Sequence, residues 1–281
     1  VDCERCSSKC KISWGKRSAE GNTKPVYRCH KRGCTWRKSV FKGSIFEGTK
    51  LSLPQIWHLI AGYVRNRNNS FGEVMNISEH TASGFRQKIN RKVQELLAEP
   101  EHAIIGGKGK VVQADETMVI SGQRSSHLKA LPDCPSNLPD NFPGAIWVVG
   151  AVVQGEGNQP IWAEVVPNRK AETMIEVFRR HVKPETFLLT DGHLSYPLVA
   201  KALNCEHHAV IHNDGVICQE TGTNTQKIES FWAFLKHLLD KQWGTDRAHA
   251  DLFVSEVVFY KRYLKDTPVE GLKMLLKKLF E

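Results

Sequence analysis

The sequence predicts an α/β chain: a mixed sheet with helices on both faces, preceded by a small metal-bound ribbon and a helix-turn-helix. Three observations predict it. Five of the eight cysteines fall within the first 34 residues. A helical periodicity follows over residues 51–98. Beyond a glycine-rich break, apolar β-branched runs alternate with amphipathic stretches, and acidic residues stand among them at Asp115, Asp191 and Glu229.

The ribbon comes first, over residues 1–50. Cys3 and Cys6 form one knuckle, and Cys29 and Cys34 form the other, with 22 residues between the two pairs. Two short loops that each give two thiolates satisfy the tetrahedral preference of Zn²⁺. Cys10 and His30 compete as ligands, because the second spacing is looser than the common two-residue gap. The chain opens VDCERC, with charges where an apolar leader would sit. That predicts a reducing compartment, in which metal binding outranks disulfides. A segment this short builds little core, so the metal would supply its folding energy. Trp14, Tyr27 and Trp36 are expected to pack the ribbon.

Residues 51–98 predict a helix-turn-helix. Pro54 sits in the first turn of a helix whose expected apolar stripe is Leu53, Ile56, Trp57, Ile60, Ala61 and Val64. A short helix follows at SFGEVMN, and Ser78 is the N-cap of a third that buries Ala82, Phe85, Ile89, Val93 and Leu96. The opposite face of that helix carries Arg86, Gln87, Asn90 and Arg91, side chains suited to major-groove reading. A solvated polar face is the plain alternative. Charge favours DNA: residues 1–100 hold 19 Lys/Arg against 8 Asp/Glu, whereas residues 101–281 hold 20 against 22. Residues 99–110, with Pro100 and three glycines, predict a linker.

Residues 111–281 predict the catalytic domain. KVVQADETMVI is a strand, IWVVGAVVQ and PIWAEVVP form a hairpin, and ETMIEVFRRHV is an amphipathic helix. TFLLTDG is a central strand parallel to the first, HHAVI is a shorter strand, and a long helix starts at Gln226. This order is that of a ribonuclease H-like fold. It brings Asp115 and Asp191 together on adjacent strands, and a helix packed over that edge adds Glu229. Three such carboxylates suit a pair of Mg²⁺ ions about 3.5–4 Å apart, the arrangement that cuts and joins phosphodiester bonds. Glu116 is expected to point to the other side of its strand. Asn224 either caps the helix from Gln226 or positions DNA, while Lys227 and Lys236 are candidate phosphate contacts. The histidines near Asp191 are expected to be ordinary strand and loop residues. No apolar run reaches membrane-spanning length.

ADET after a strand, TDG-x-x-x-Y further on, and TNTQKIESFW-x-x-x-K together resemble the signature of Merlin-type DDE DNA transposases. These are eukaryotic cut-and-paste elements related to bacterial insertion-sequence transposases with a similar zinc ribbon. The resemblance implies a catalytic triad at Asp115, Asp191 and Glu229, with 37 residues between the last two. It implies two Mg²⁺ ions per site, replaceable by Mn²⁺, and one structural Zn²⁺. It also implies binding to terminal inverted repeats and target DNA, assembly as a homodimer or larger, and a nuclear location, or a cytoplasmic one outside eukaryotes. One departure is the segment SGQRSSHLKALPDCPSNLPDNFPGA, which replaces the family's short basic loop. A host-adopted DNA-binding regulator and a structure-selective nuclease are the competing readings.

Overall fold

The structure is a computed structural model. It describes residues 1–15, 24–66, 69–120, 145–155, 160–210, 225–241 and 247–281. The chain divides into two compact units, Val1–Lys92 with Val269–Glu281, and Val93–Pro268.

In the first unit, β1 (Cys10–Trp14), β2 (Pro25–Cys29) and β3 (Arg37–Ser39) form an antiparallel ribbon. Alternate residues of β1 share one face. Ile12 and Trp14 lie on that face and are each 64% exposed, so Trp14 does not pack the ribbon as expected. Helix α1 (Leu53–Val64) starts at a capping box: Gln55 N–H donates to Ser52 Oγ, and Ser52 N–H donates to Gln55 Oε1. Its buried stripe is Ile56, Leu59, Ile60 and Tyr63, and Trp57 lies outside it, 54% exposed. A 3₁₀ turn (Asn69–Met75) leads to α2 (Glu79–Leu97). Ser78 caps α2 by accepting from Thr81 N–H at 3.2 Å. The expected core positions Ala82, Phe85, Ile89, Val93 and Leu96 are all buried.

The final helix, Pro268–Phe280, was expected with the catalytic domain, but residues 269–281 belong to the first unit. The reason is aromatic packing. The Phe280 ring lies 5.0 Å from Phe46 and 6.3 Å from Phe41, and Phe46 lies 5.9 Å from Phe85. Ile45 N–H donates to the Leu279 carbonyl at 3.2 Å.

The segment 99–110 is folded rather than a free linker. Pro100 opens α3 (Pro100–Ala103), and β4 (Ile105–Gly106) pairs parallel with β8 (Val182–Lys183). Its glycines answer a turn: Gly106, Gly107 and Gly109 all have positive φ.

The second unit is built on a five-stranded sheet. Its strands are β5 (Val111–Ile120), β6 (Ala145–Val153), β7 (Ile161–Val166), β9 (Phe187–Thr190) and β10 (Glu206–Ala209), in the order β10-β9-β5-β6-β7. β6 runs antiparallel to both neighbours, and β5, β9 and β10 run parallel. A three-strand meander extended by two parallel strands on the far side of its first strand is the ribonuclease H-like sheet. Odd residues of β6 (Trp147, Val149, Ala151, Val153) join the core under α4 (Ala171–His181) and α5 (Tyr196–Leu203). Even residues (Ile146, Val148, Val152) join the core under α6 (Gln226–Lys241) and α7 (Ala250–Phe259). Period-2 alternation on one strand thus feeds both faces. No helix among the described residues is long and apolar enough to cross a membrane.

Candidate active site

Asp115 and Asp191 owe their positions to strand register. β5 and β9 pair in parallel through Val111↔Phe187, Val112↔Leu188 and Gln113↔Leu189. Two residues further along each chain stand Asp115 and Asp191. The β9 ladder has ended there, while β5 continues to Ile120 against β6. One edge of β5 therefore opens at Asp115, and carboxylates gather in the opening. Asp115, Glu116 and Asp191 each place an oxygen within 4.8 Å of the other two.

Glu116 belongs to this group although, as expected, it points to the other side of its strand. Its side chain leaves β5 on the face opposite Asp115, toward α5, where Tyr196 donates its hydroxyl to Glu116 Oε2 at 2.6 Å. Among the described residues no neighbouring strand covers that edge of β5, and both carboxylates still reach the same opening.

Asp115 is fixed from two sides. Its Oδ1 accepts from the Glu116 backbone N–H at 2.8 Å, and its Oδ2 accepts from the Trp232 indole N–H at 2.9 Å. Burial, followed by the nearby Glu116 and Asp191 charges, raises its carboxyl to about 7. Burial also raises Glu116, against the opposing pull of the Tyr196 hydrogen bond. Trp232 reaches Asp115 because of Gly150, the cross-strand partner of Asp115. A Cβ at Gly150 would stand 2.8 Å from Trp232 Cη2 and 2.8 Å from the Trp162 carbonyl oxygen, so a larger residue would displace the indole.

Helix α6 is docked through the same strand. The buried Gln113 accepts from Lys227 N–H at 2.9 Å and Ile228 N–H at 3.2 Å, which satisfies two of the free donors at the start of the helix. Gln113 and Asp115 share one face of β5, so the strand grips both the start of α6 and its Trp232. Glu229 lies three residues before Trp232, on the same side of α6. Its Oε1 accepts from the Thr225 hydroxyl at 2.7 Å, and it is not among the three carboxylates grouped within 4.8 Å.

The other expected contacts vary. Lys236 and Arg91 are exposed, and Lys227 is half-buried with its ammonium on the Gly155 carbonyl. Gln87 is half-buried. Arg86 donates to Asn66 at 3.4 Å and lies 5.6 Å from the centre of the Tyr63 ring. Asn90, expected on the polar face, is only 5% exposed, because α2 buries a wider arc than its apolar residues mark. Asn224 and the proline-rich segment after β5 lie outside the described residues. From sequence alone Trp232 is expected only in the apolar face of its helix, and Gln113 and Gly150 carry no expectation at the site. The available signal was spacing: Trp232 one turn after Glu229, and Gln113 two residues before Asp115.

The four cysteines form a second cluster. Cys3, Cys6, Cys29 and Cys34 place their sulfurs within 4.8 Å of one another, with Cys3–Cys34 at 3.7 Å and Cys6–Cys29 at 3.5 Å. A tetrahedron with Zn–S bonds near 2.3 Å sets its sulfurs about 3.8 Å apart, so the cluster fits Zn²⁺. The Ser8 backbone, followed by its hydroxyl, lowers the Cys6 thiol to about 6 and so favours the thiolate that binds metal. Cys10 lies outside the group and points its thiol at the Ser8 carbonyl.

Sheet order and gathered carboxylates define the class: a ribonuclease H-like enzyme of the DDE kind. The family model for the ISXO2-like transposase domain matches residues 109–261, more than half of the chain, and the chain belongs to that family. It is also similar to an uncharacterized transposase-like protein of Haemophilus influenzae, 28% identical over 96 residues, spanning 34% of this chain and 76% of that protein. Among solved structures it is similar to a chain of the simian T-cell lymphotropic virus intasome in complex with PP2A regulatory subunit B56 gamma. That match has a TM-score of 0.32 and 9% identity and covers 70% of this chain and 66% of that one. The pre-cleavage Mos1 transpososome aligns at a TM-score of 0.29 and 14% identity, over 75% of this chain and 74% of that one. The fold assignment rests on the strand order.

Proposed function

We propose that this transposase binds the terminal inverted repeats of a transposon, cuts DNA at their ends and joins the freed ends to target DNA by cut-and-paste. The observation that carries the reading is the opening on β5 where Asp115 meets Asp191, in a chain of this family. The three carboxylates gathered there offer oxygen donors, which fits a hard divalent cation: Mg²⁺, or Mn²⁺ in its place. Asp115, Asp191 and Glu229 are the residues that would hold the ions. When bound, such ions offset the charge that builds on the attacking and leaving oxygens of an in-line displacement.

The chain's own residues set the stage for two steps. Water breaks the P–O3′ bond at the transposon end, leaving a 3′-hydroxyl and a 5′-phosphate. That hydroxyl then attacks a target phosphodiester and expels a target 3′-oxygen. The Glu116 amide and the Trp232 indole hold Asp115 in one orientation throughout. Thr225 holds Glu229 through one oxygen and leaves the other for a ligand. The basic first 100 residues, with the cysteine ribbon and α2, supply the DNA-binding surface. Cut-and-paste handles two ends together, so we infer a homodimer or larger.

The test is incubation of purified protein with Mg²⁺, labelled terminal-repeat DNA and a supercoiled target plasmid. End-specific nicking and a joined product are expected. Both should be lost on the order of 10³-fold in Asp191→Asn and Glu229→Gln, as removal of an ion's ligand implies. Tight repeat binding without cleavage in Mg²⁺ or Mn²⁺ would instead assign the protein as a DNA-binding regulator.

A further inference from the structure

The pairing of β5 with β9 ends at Gln113↔Leu189, so no ladder hydrogen bond fixes Asp191 against Asp115. Something else must hold the segment from Asp191 to Tyr196 in place. The polar contacts of that segment converge on Glu116. Tyr196, fully buried at the start of α5, donates to Glu116 Oε2 at 2.6 Å. The ring nitrogen Nε2 of His193 stands 3.9 Å from Glu116 Oε1. His193 also donates its backbone N–H to Asp191 Oδ1 at 3.1 Å. Ser195 donates its hydroxyl to the Arg169 carbonyl at 2.8 Å. Arg169 returns to Glu116 Oε1 at 3.4 Å, with its guanidinium 3.9 Å from the centre of the Trp147 ring.

We propose that Glu116 is a positioning residue for the reaction: it clamps the loop carrying Asp191 onto β5 through Tyr196 and Arg169, and so sets the distance between the two aspartates. The inference rests on the reading of Asp115 and Asp191 as ligands of a divalent ion. A carboxylate 3% exposed beside two others is a costly choice for mere packing. Its geometry shows what it does instead. It accepts from both the Tyr196 phenol and the Arg169 guanidinium; Tyr196 follows the Asp191 turn directly, and Arg169 is tied to that turn through Ser195. Side chains that orient a metal's ligands without touching the metal change affinity or activity by about 10- to 100-fold when removed.

The clamp can be tested without relying on turnover. Mn²⁺ affinity of the full chain is measured by calorimetry for wild type, Asp191→Asn, Tyr196→Phe, Glu116→Gln and the Tyr196→Phe/Glu116→Gln double variant, with thermal melting beside each. Wild type should bind, and Asp191→Asn should not. Tyr196→Phe removes one hydroxyl from a filled core site and should fold. It should weaken Mn²⁺ by about tenfold or more, and the double variant should be no weaker than Glu116→Gln, since both changes open one clamp. If wild type fails to bind, the metal reading of the site is wrong. If wild type binds, Asp191→Asn does not, and Tyr196→Phe matches wild type, the metal site stands and the clamp is overturned. Losses in the two single variants that multiply in the double would overturn it as well. A variant that melts near the assay temperature is measured again well below its transition, and Mn²⁺ affinity restored to wild type there also overturns the clamp.

Discussion

The cysteine cluster and the carboxylate cluster both gather ligands from distant positions, yet they rest on opposite terms. The four sulfurs come from two knuckles, each closed by a few residues, in a ribbon of three short strands with two large apolar side chains left in water. The carboxylates come from β5 and β9 of a sheet with core on both faces. In the ribbon a bound metal would hold the fold. In the sheet the fold holds the candidate ligands together, and does so against their mutual repulsion.

Zinc removal tests this contrast most severely. Structural zinc supplies about 10–16 kcal/mol to small zinc-dependent folds, far more than a ribbon of this size gains from its core. A strong chelator, or Cys3→Ser, is expected to unfold the ribbon and abolish binding to repeat DNA. The melting of residues 93–268, followed by intrinsic fluorescence, should stay in place. A cooperative loss of both units at one temperature would show that the comparison is false.

The same contrast explains what could be read from sequence. Cysteine spacing is local, so Cys3, Cys6, Cys29 and Cys34 were legible without any fold. Asp115 and Asp191 were legible because β-branched runs lead into them and parallel pairing aligns them. Glu116 was not, because alternation sends it to the other face; the end of the β5–β9 ladder at Leu189 opens a route back. Trp57 was misplaced for a related reason. Two overlapping stripes can be drawn on α1, and tertiary packing chose the one through Leu59 and Tyr63. The final helix shows a clear apolar period, but a period marks a face and not its partner, and Phe280 found Phe46.

Acidity offers a second test, of intermediate size. The carboxyl of Asp115 stands at about 7 in the folded chain against 3.8 for the free side chain. The folded state thus keeps a proton that the unfolded state releases above about pH 4. The resulting stability is fully present below the unfolded value and is lost as pH rises through the folded one. Glu116 is raised too and acts in the same sense. In chelator, the melting temperature of residues 93–268 should therefore fall between pH 5 and pH 8, and Asp115→Asn should flatten the slope. Mg²⁺ should raise the melting temperature more at pH 8 than at pH 5, since it replaces the proton. An unchanged slope in Asp115→Asn would mean that Asp115 does not titrate in this range.

The smallest expected effect lies in the orientation of Asp115. Trp232→Phe removes the indole N–H at 2.9 Å from Asp115 Oδ2 and keeps an aromatic ring against Phe231. One hydrogen bond to a charged acceptor is worth about 1.5–3 kcal/mol, so divalent affinity should drop by about one to two orders of magnitude. Gly150→Ala should have the same consequence by another route. Its methyl would stand 2.8 Å from Trp232 Cη2 and from a backbone carbonyl, and backbone cannot move aside as a flexible side-chain tip can. The indole would then be pushed off Asp115 with its N–H intact. Mn²⁺ affinities for both variants and their double decide the matter: if the shared step is the Trp232–Asp115 bond, the double should bind about as the weaker single does. Independent, multiplying losses would place the role of Gly150 in the β6 backbone, and Trp232 would then be one side chain of the core among others.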